Sequence, residues 1–322
     1  MRPAPALVDR FRRDLGALVA PDARIGAAVS GGPDSLALLL LLAAERPGQV
    51  EAATVDHALR DGSRAEAEMG AALCERLGVP HTILTASWTE TPRTAIQERA
   101  RAVRYERLSD WVEARGLDAL ATGHQLDDQA ETLVMRLGRG AGVRGLAAMR
   151  ARSLVPGSDL ALIRPLLGWH RSELAELCAD AEVEPACDPS NDDAAFERVR
   201  LRKALADTRW LDPQALAASA AHLGEADSAL DWAARHEWAA KVTNGGAAIC
   251  YRPGDAPPEI RRRILSEAVR RLGAEGDLAA LRGGELDRLL AALEGGGQAT
   301  LRGVLFAGGS EWRFSKSPPR KA

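Results

Sequence analysis

Ser30-Gly31-Gly32-Pro33-Asp34-Ser35 lies between two apolar runs, Ile25 to Val29 and Leu36 to Ala44. The order reads as strand, glycine turn, helix. Two adjacent glycines let the backbone take φ > 0 and approach a ligand closely. The helix that follows offers free N–H groups and the positive end of its dipole, which suit a phosphate. Ser30 and Ser35 add hydroxyl donors, and Asp34 adds a carboxylate that can hold a metal ion. No lysine is present, so this is not the G-x-x-x-x-G-K-[ST] loop. A bare double glycine is an ordinary turn. The whole hexapeptide at a strand-to-helix junction reads as a phosphate cradle.

Outward from that junction, strand and helix alternate. A leading helix is predicted over residues 8–19. Strands are predicted at Ile25–Val29, Val50–Val55, His81–Thr85 and Ala119–Thr122, and a fifth within Leu160–Leu167. Helices are predicted from Asp34 to Glu45, from the capping box Ser63-x-x-Glu66 to Leu77, over about 92–115, over about 127–137, from Arg171 to Ala181, and from Phe196 to Leu205. This alternation predicts right-handed βαβ units and a Rossmann-like parallel sheet, an α/β class. Ligands then gather at the carboxyl ends of the strands. Three polar clusters fall there: Ser30 to Ser35, Asp56-His57, and Gly123 to Asp128. Residues 136–150, rich in glycine and arginine, read as a flexible loop. From about Thr208 the chain turns Ala- and Leu-rich and helical, with a break at 243–258 and a hairpin around Gly308-Gly309. The expected division is residues 1–207 as the nucleotide domain and 208–322 as a smaller, mainly helical one.

The chain has 322 residues, 46% hydrophobic and 27% charged, a globular composition with enough length for a substantial core. A net charge of −3 excludes a strongly basic nucleic-acid binder, so any RNA surface is local. Cys74, Cys178, Cys187 and Cys250 form no C-x-x-C pair, which argues against zinc or iron–sulfur sites. The first twenty residues carry Asp9, Arg10, Arg12, Arg13 and Asp14, so no signal peptide is visible. The longest strongly apolar run, Leu36 to Ala44, is far short of the ~20 residues of a membrane span. A cytoplasmic protein with no membrane partner is expected.

The second motif is Gly123-His124-Gln125-Leu126-Asp127-Asp128-Gln129-Ala130-Glu131-Thr132. On a helix Asp128 and Glu131 share a face. Two carboxylates at a strand terminus can bind Mg²⁺ or position an amine nucleophile; alone, they could equally be a capped, solvated acidic turn. His124 beside them is a candidate ligand or base. Asp56 could accept a hydrogen bond from adenine or ribose, with His57 orienting the same loop, although either alone could simply start a turn.

The hexapeptide resembles the pyrophosphate-binding loop of the ATP pyrophosphatase (PP-loop) superfamily. Further motifs narrow the likeness. They are Val55-Asp56-His57-x-Leu59-Arg60, Ala100-Arg101-x-x-Arg104-Tyr105, the 123–132 motif, and Leu137-x-Arg139-Gly140-x-Gly142-x-x-Gly145-Leu146-x-x-Met149. Arg164-Pro165-Leu166-Leu167, Asp188-Pro189-Ser190-Asn191 and Phe196-x-Arg198-x-Arg200-x-Arg202 follow. In this order they resemble the bacterial tRNA(Ile)-lysidine synthetases, densely over residues 22–205 and weakly beyond, in the short form of that family. The resemblance implies an enzyme that adenylates the C2 oxygen of the wobble cytidine of isoleucine tRNA with a CAU anticodon. Free lysine then displaces AMP through its ε-amine. It implies ATP and Mg²⁺ as cofactors and a homodimer. Ser30, Gly31, Gly32, Pro33, Asp34, Ser35, Val55, Asp56, His57, Gly123 and His124 would bind ATP, with Asp34 holding Mg²⁺ through the phosphates. Asp34, Asp128, Glu131 and Arg104 would carry catalysis, Asp128 and Glu131 by recognising and activating lysine. Arg104 and one or more of Arg198, Arg200 and Arg202 would meet phosphate charge or the flipped base.

Between Thr132 and Arg171 there are seven arginines against one aspartate, so Arg139, Arg144 and their neighbours are candidate RNA contacts. A solvated loop is the plainer reading of the same stretch. Two rival functions share the cradle: another PP-loop enzyme, such as a tRNA thiolase or an amide-using synthetase, and a non-catalytic RNA- or nucleotide-binding module. Thiolases commonly need paired cysteines, and an amide-using synthetase needs an ammonia source. A degenerate module has no reason to keep Asp34, Asp128 and Glu131 together.

Overall fold

The protein is described by a computed structural model covering residues 2–56, 63–86, 96–186, 195–208, 210–245, 248–273 and 283–318. It divides into two compact units: residues 1–138 with 148–220, and residues 139–147 with 221–322.

The first unit contains α1 (Pro5–Gly16), β1 (Ile25–Ala28), α2 (Pro33–Glu45), β2 (Val50–Asp56), α3 (Ser63–Leu77), β3 (His81–Thr85), α4 (Ile96–Arg115), β4 (Ala119–Ala121) and α5 (Leu126–Gly138). After a short α6 (Val143–Leu146), which belongs to the second unit, come β5 (Arg152–Leu154), β6 (Ala161–Ile163), α7 (Arg171–Asp180) and α8 (Glu197–Asp207). The sheet order is β3-β2-β1-β4-β6-β5. Every pair is parallel except β5 with β6 at the edge. The chain winds outward from β1 to β3 and returns to β4 on the other side of β1, so β1 and β4 flank the switch point where such sheets bind ligands.

Strand periodicity sorts the two faces. Ala27, Ala52, Ala119 and Ala121 face α1, α2 and α7 over a core that includes Phe11, Leu15, Trp169 and Leu177. Ala28, Ala53 and Leu120 face α4 through Tyr105, Leu108, Trp111 and Val112. Helix α2 is buried from Ser35 to Leu42, sandwiched between the sheet and the outer helices. Each buried leucine there contributes about 1.5–3 kcal/mol, which anchors the N-terminus of α2 and the loop feeding it.

The second unit combines helices with more sheet than its Ala- and Leu-rich sequence predicts. The later part of α9 (Pro213–Lys241), α10 (Pro258–Leu272) and α11 (Gly283–Glu294) accompany β7 (Val242–Asn244), β8 (Ala248–Tyr251), β9 (Gln298–Leu301), β10 (Val304–Ala307) and β11 (Trp312–Lys316). These strands form an antiparallel sheet in the order β7-β8-β11-β10-β9. Its buried face is a period-two set: Ile249 and Tyr251, Val304 and Phe306, Trp312 and Phe314. Strands of three to five residues separated by glycines dilute that alternation. The expected hairpin around Gly308-Gly309 is β10–β11, while β7 and β8 occupy the predicted helical break. Within 136–150 the structure has the end of α5 and the helical turn α6. Arg144 on α6 pairs with Asp227 (3.4 Å) and Asp231 on α9, and the buried Arg263 joins both acids at 2.6 Å.

Candidate active site

The loop after β1 is shaped by Gly31, whose φ of 84° lies in the region that favours glycine. Its carbonyl accepts from the Ala186 N–H (2.9 Å), which ties the loop to the segment after α7. Ser35 Oγ accepts from the Ser30 N–H (3.1 Å) and donates to the Gly32 carbonyl (2.9 Å), closing the turn from inside. Pro33 starts α2, where its missing N–H costs nothing. The N–H groups of Gly31 and Gly32 take no partner among the described residues. They and the first turn of α2 present free donors where the sequence leads one to expect a phosphate cradle.

Gly123, two residues past β4, closes the cradle from the neighbouring strand. A Cβ there would sit 2.7 Å from the Asp34 carbonyl oxygen and 3.0 Å from Ser35 Cα. Gly123→Ala should therefore push the cradle open at a strain of about 1–3 kcal/mol. The expected result is a roughly 10- to 100-fold weaker ATP affinity by calorimetry; wild-type affinity would place the nucleotide elsewhere.

Helix α5 is capped by its own motif. Gln125 Oε1 accepts from the Asp127 and Asp128 N–H groups, and Asp128 Oδ2 accepts from the Gln125 N–H (3.2 Å). The cap fixes Asp128, leaving Oδ1 to face Arg198 (3.0 Å) and Arg171 (3.5 Å). Glu131, one turn on and 2% exposed, meets Arg198 Nε at 2.6 Å, Arg202 Nε at 3.0 Å and Arg171 Nη2 at 3.1 Å. Burial pushes Glu131 upward, but the three arginines outweigh it and hold the carboxyl below its ordinary range. At Asp128 burial prevails over Arg198, and the carboxyl is raised. Two acids on one helix face are thus driven in opposite directions, the pattern of a proton acceptor beside a fixed anion.

Asp34 belongs to the cradle and feels Asp128. Burial first, then Asp128, push its carboxyl up to about 6, against Arg171 and the amide of Gln125. Its Oδ1 and Gln125 Nε2 are both buried without closing a hydrogen bond.

Residues 7–209 match the family described as the PP-loop domain. The chain is 48% identical over 315 residues to the tRNA(Ile)-lysidine synthase of Novosphingobium aromaticivorans, covering 97% of this chain and 94% of that one. It is 40% identical over 300 residues to the enzyme of the same name from Zymomonas mobilis, covering 92% and 90%. The chain belongs to the tRNA(Ile)-lysidine synthase family. Among solved structures, the U34-tRNA thiolase NcsA of Methanococcus maripaludis aligns with a TM-score of 0.56 over 67% of this chain and 76% of its own. At 18% identity, that likeness is one of fold.

In this member of the family, Ser30 to Ser35 sit together with Gly123. Val55 and Asp56 end β2, one strand away, and Asp56 is buried. His57 lies outside the described residues. His124 accepts or donates at Thr122 Oγ1 (2.9 Å). Burial, then Arg164, Arg101, Arg104 and Arg198, drive its pKa down to about 3, so the imidazole stays neutral across the working range. Arg104 lies on α4 over the Tyr105 ring and joins no carboxylate of the pair. Arg198 and Arg202 reach Glu131, whereas Arg200 turns to the Ala195 carbonyl (2.9 Å). Arg139 is exposed, and Arg144 is committed to the two aspartates of α9.

Arg171 is the site residue that the sequence reading missed. It is the first residue of α7, placed by its N–H bond to Asp127 (2.9 Å), and only the fold carries it to Asp128 and Glu131. No spacing signal links positions forty apart in the chain. For Mg²⁺ the residues fit in one way. The orphaned Asp34 Oδ1 beside the cradle is a free hard donor. No group of three His, Cys, Asp or Glu that could hold a metal ion is present among the described residues. The Cys74 and Cys178 thiols are pushed up to about 12 and about 11 by burial, which makes them poor thiolates. No helix among the described residues is long and apolar enough to cross a membrane.

Proposed function

We propose that this chain joins lysine to C2 of the wobble cytidine of isoleucine tRNA with a CAU anticodon, consuming ATP to AMP and pyrophosphate. The observation that carries the reading is the Asp34 carboxylate, which belongs to the phosphate cradle, keeps a buried Oδ1 that closes no hydrogen bond, and is raised first by burial and then by the neighbouring Asp128. The C2 oxygen of cytidine attacks the α-phosphorus, and the bond to pyrophosphate breaks. Cradle amides take up the charge of the departing group. A Mg²⁺ ion held by Asp34 and the phosphates would supply Lewis-acid stabilisation there. The ε-amine of lysine then attacks C2, and AMP leaves with the former C2 oxygen. Asp128, raised by burial, accepts the amine proton; Glu131, held ionised, keeps Arg171, Arg198 and Arg202 in place. Residues 1–207 do this chemistry, and residues 208–322 hold the body of the tRNA.

The test is lysine incorporation with ATP and Mg²⁺, offered isoleucine tRNA and elongator methionine tRNA, which shares the anticodon. Lysine should enter only the first, with one AMP and one pyrophosphate per event. Release of ADP, or equal labelling of both tRNAs, would reject the reading.

A further inference from the structure

A second cationic centre lies on the α4 side of the sheet. Arg101 and Arg104 set their guanidinium groups 5.0 and 5.8 Å from the centroid of the Tyr105 ring. Arg101 Nη2 also donates to the Tyr105 hydroxyl (3.3 Å). Arg164, the residue after β6, adjoins the same phenol. It is 7% exposed and held by neutral oxygens: the Arg150 carbonyl (2.7 Å) and the Ser153 hydroxyl (3.1 Å). Its Nε is buried with no partner. Arg104, half-buried, forms no hydrogen bond or ion pair among the described residues.

Several other arginines are paired with acids. Buried Arg263 meets three acids, and Arg171, Arg198 and Arg202 share Asp128 and Glu131. Desolvating a guanidinium such as that of Arg164 with no counter-ion costs several kcal/mol. Burial and Arg101 both depress Arg104 and Arg164, and no carboxylate opposes them. Such a group is completed by an anion from outside.

We infer that Arg101, Arg104 and Arg164 form an oxyanion site for a backbone phosphate of the RNA substrate, distinct from the backbone amides of the cradle. Tyr105 packs with α4 on the face of the sheet opposite α2, and the three arginines bear on His124, next to Gly123, so a phosphate held there would lie beside the crevice. Arg101 is exposed, so a polymer can reach it. Planar guanidinium forks match phosphate geometry. Phosphate contacts fix register rather than read sequence, as orienting one nucleotide over the crevice requires. The inference rests on the reading that the substrate is RNA.

The experiment measures the affinity of full-length protein for an isoleucine tRNA transcript, without ATP, from about 50 to 300 mM KCl. Arg101→Gln and Arg104→Gln should each reduce the slope of log K against log [KCl] by about 0.7–0.9. Arg101→Lys should retain the wild-type slope. ATP affinity of Arg101→Gln without RNA should match wild type. Unchanged slopes in both glutamine variants, with normal wild-type tRNA binding, overturn this site and leave the proposed function standing. A parallel loss of ATP affinity would also overturn it, by assigning the guanidinium groups to the nucleotide. A wild-type protein that binds no tRNA at any salt would sink the RNA reading itself.

Discussion

Asp34→Asn is expected to lower kcat/KM for pyrophosphate release by roughly a thousandfold, the scale of losing a main electrostatic group, while making the ligand-free protein more stable at pH 7.5. The sign follows from the carboxyl, raised from 3.8 to about 6 by burial and Asp128. Between those values the folded protein holds a proton that the unfolded chain has released. Stability therefore falls as pH rises through that window, and the cost is complete above pH 6. It amounts to about 2–3 kcal/mol at 1.36 kcal/mol per pH unit. Asparagine never ionises, so the variant escapes the cost at neutral pH and gains nothing below pH 4. Thermal melts from pH 4 to pH 8 without nucleotide should show the two curves separating as pH rises. Adding ATP and Mg²⁺ should stabilise the wild type far more than the variant. A variant that melts below wild type at pH 7.5 without ligand would mean that Asp34 is satisfied by the protein itself.

Glu131→Ala should be severely destabilising. Removing this carboxylate leaves Arg171, Arg198 and Arg202 together with only Asp128 to answer them. Breaking a buried ion network of this kind costs about 3–5 kcal/mol, which lowers Tm by roughly 10 °C in a unit of this size. Because Glu131 is held below its ordinary range, its contribution is present above the unfolded value of 4.5 and fades as pH falls through the lower folded value. The penalty of the alanine variant should thus shrink in acid. Asp128→Asn should behave differently: burial already disfavours its charge, so the melt should move little while the lysine-dependent step fails. Equal loss of Tm in both variants would erase the distinction between fixed anion and proton acceptor.

The first unit was legible because its signals are local. The cradle announces itself through adjacent glycines, a helix start and an aspartate within six residues, and Gly123 to Thr132 does the same for the acidic pair. Arg171 could not be read this way, since its role depends on β6 and α7 folding back onto α5. Arg198 and Arg202 were visible as candidates, but an arginine pattern does not say whether its partner is RNA or Glu131. The three-residue β5 is too short to stand out from the arginine-rich stretch around it. In the second unit, Ile249-Cys250-Tyr251 carries the alternation of a strand, but three residues are too few to outweigh an Ala- and Leu-rich background.

Residues 139–147 belong to the second unit while both flanks belong to the first, so the polypeptide passes between the units at three places rather than one. Neither half is a detachable cassette. Ending the chain at residue 220 would strand Arg144 without Asp227 and Asp231, and expressing 221–322 alone would take Arg144 away from those acids. A protein wired this way should be engineered as a single piece.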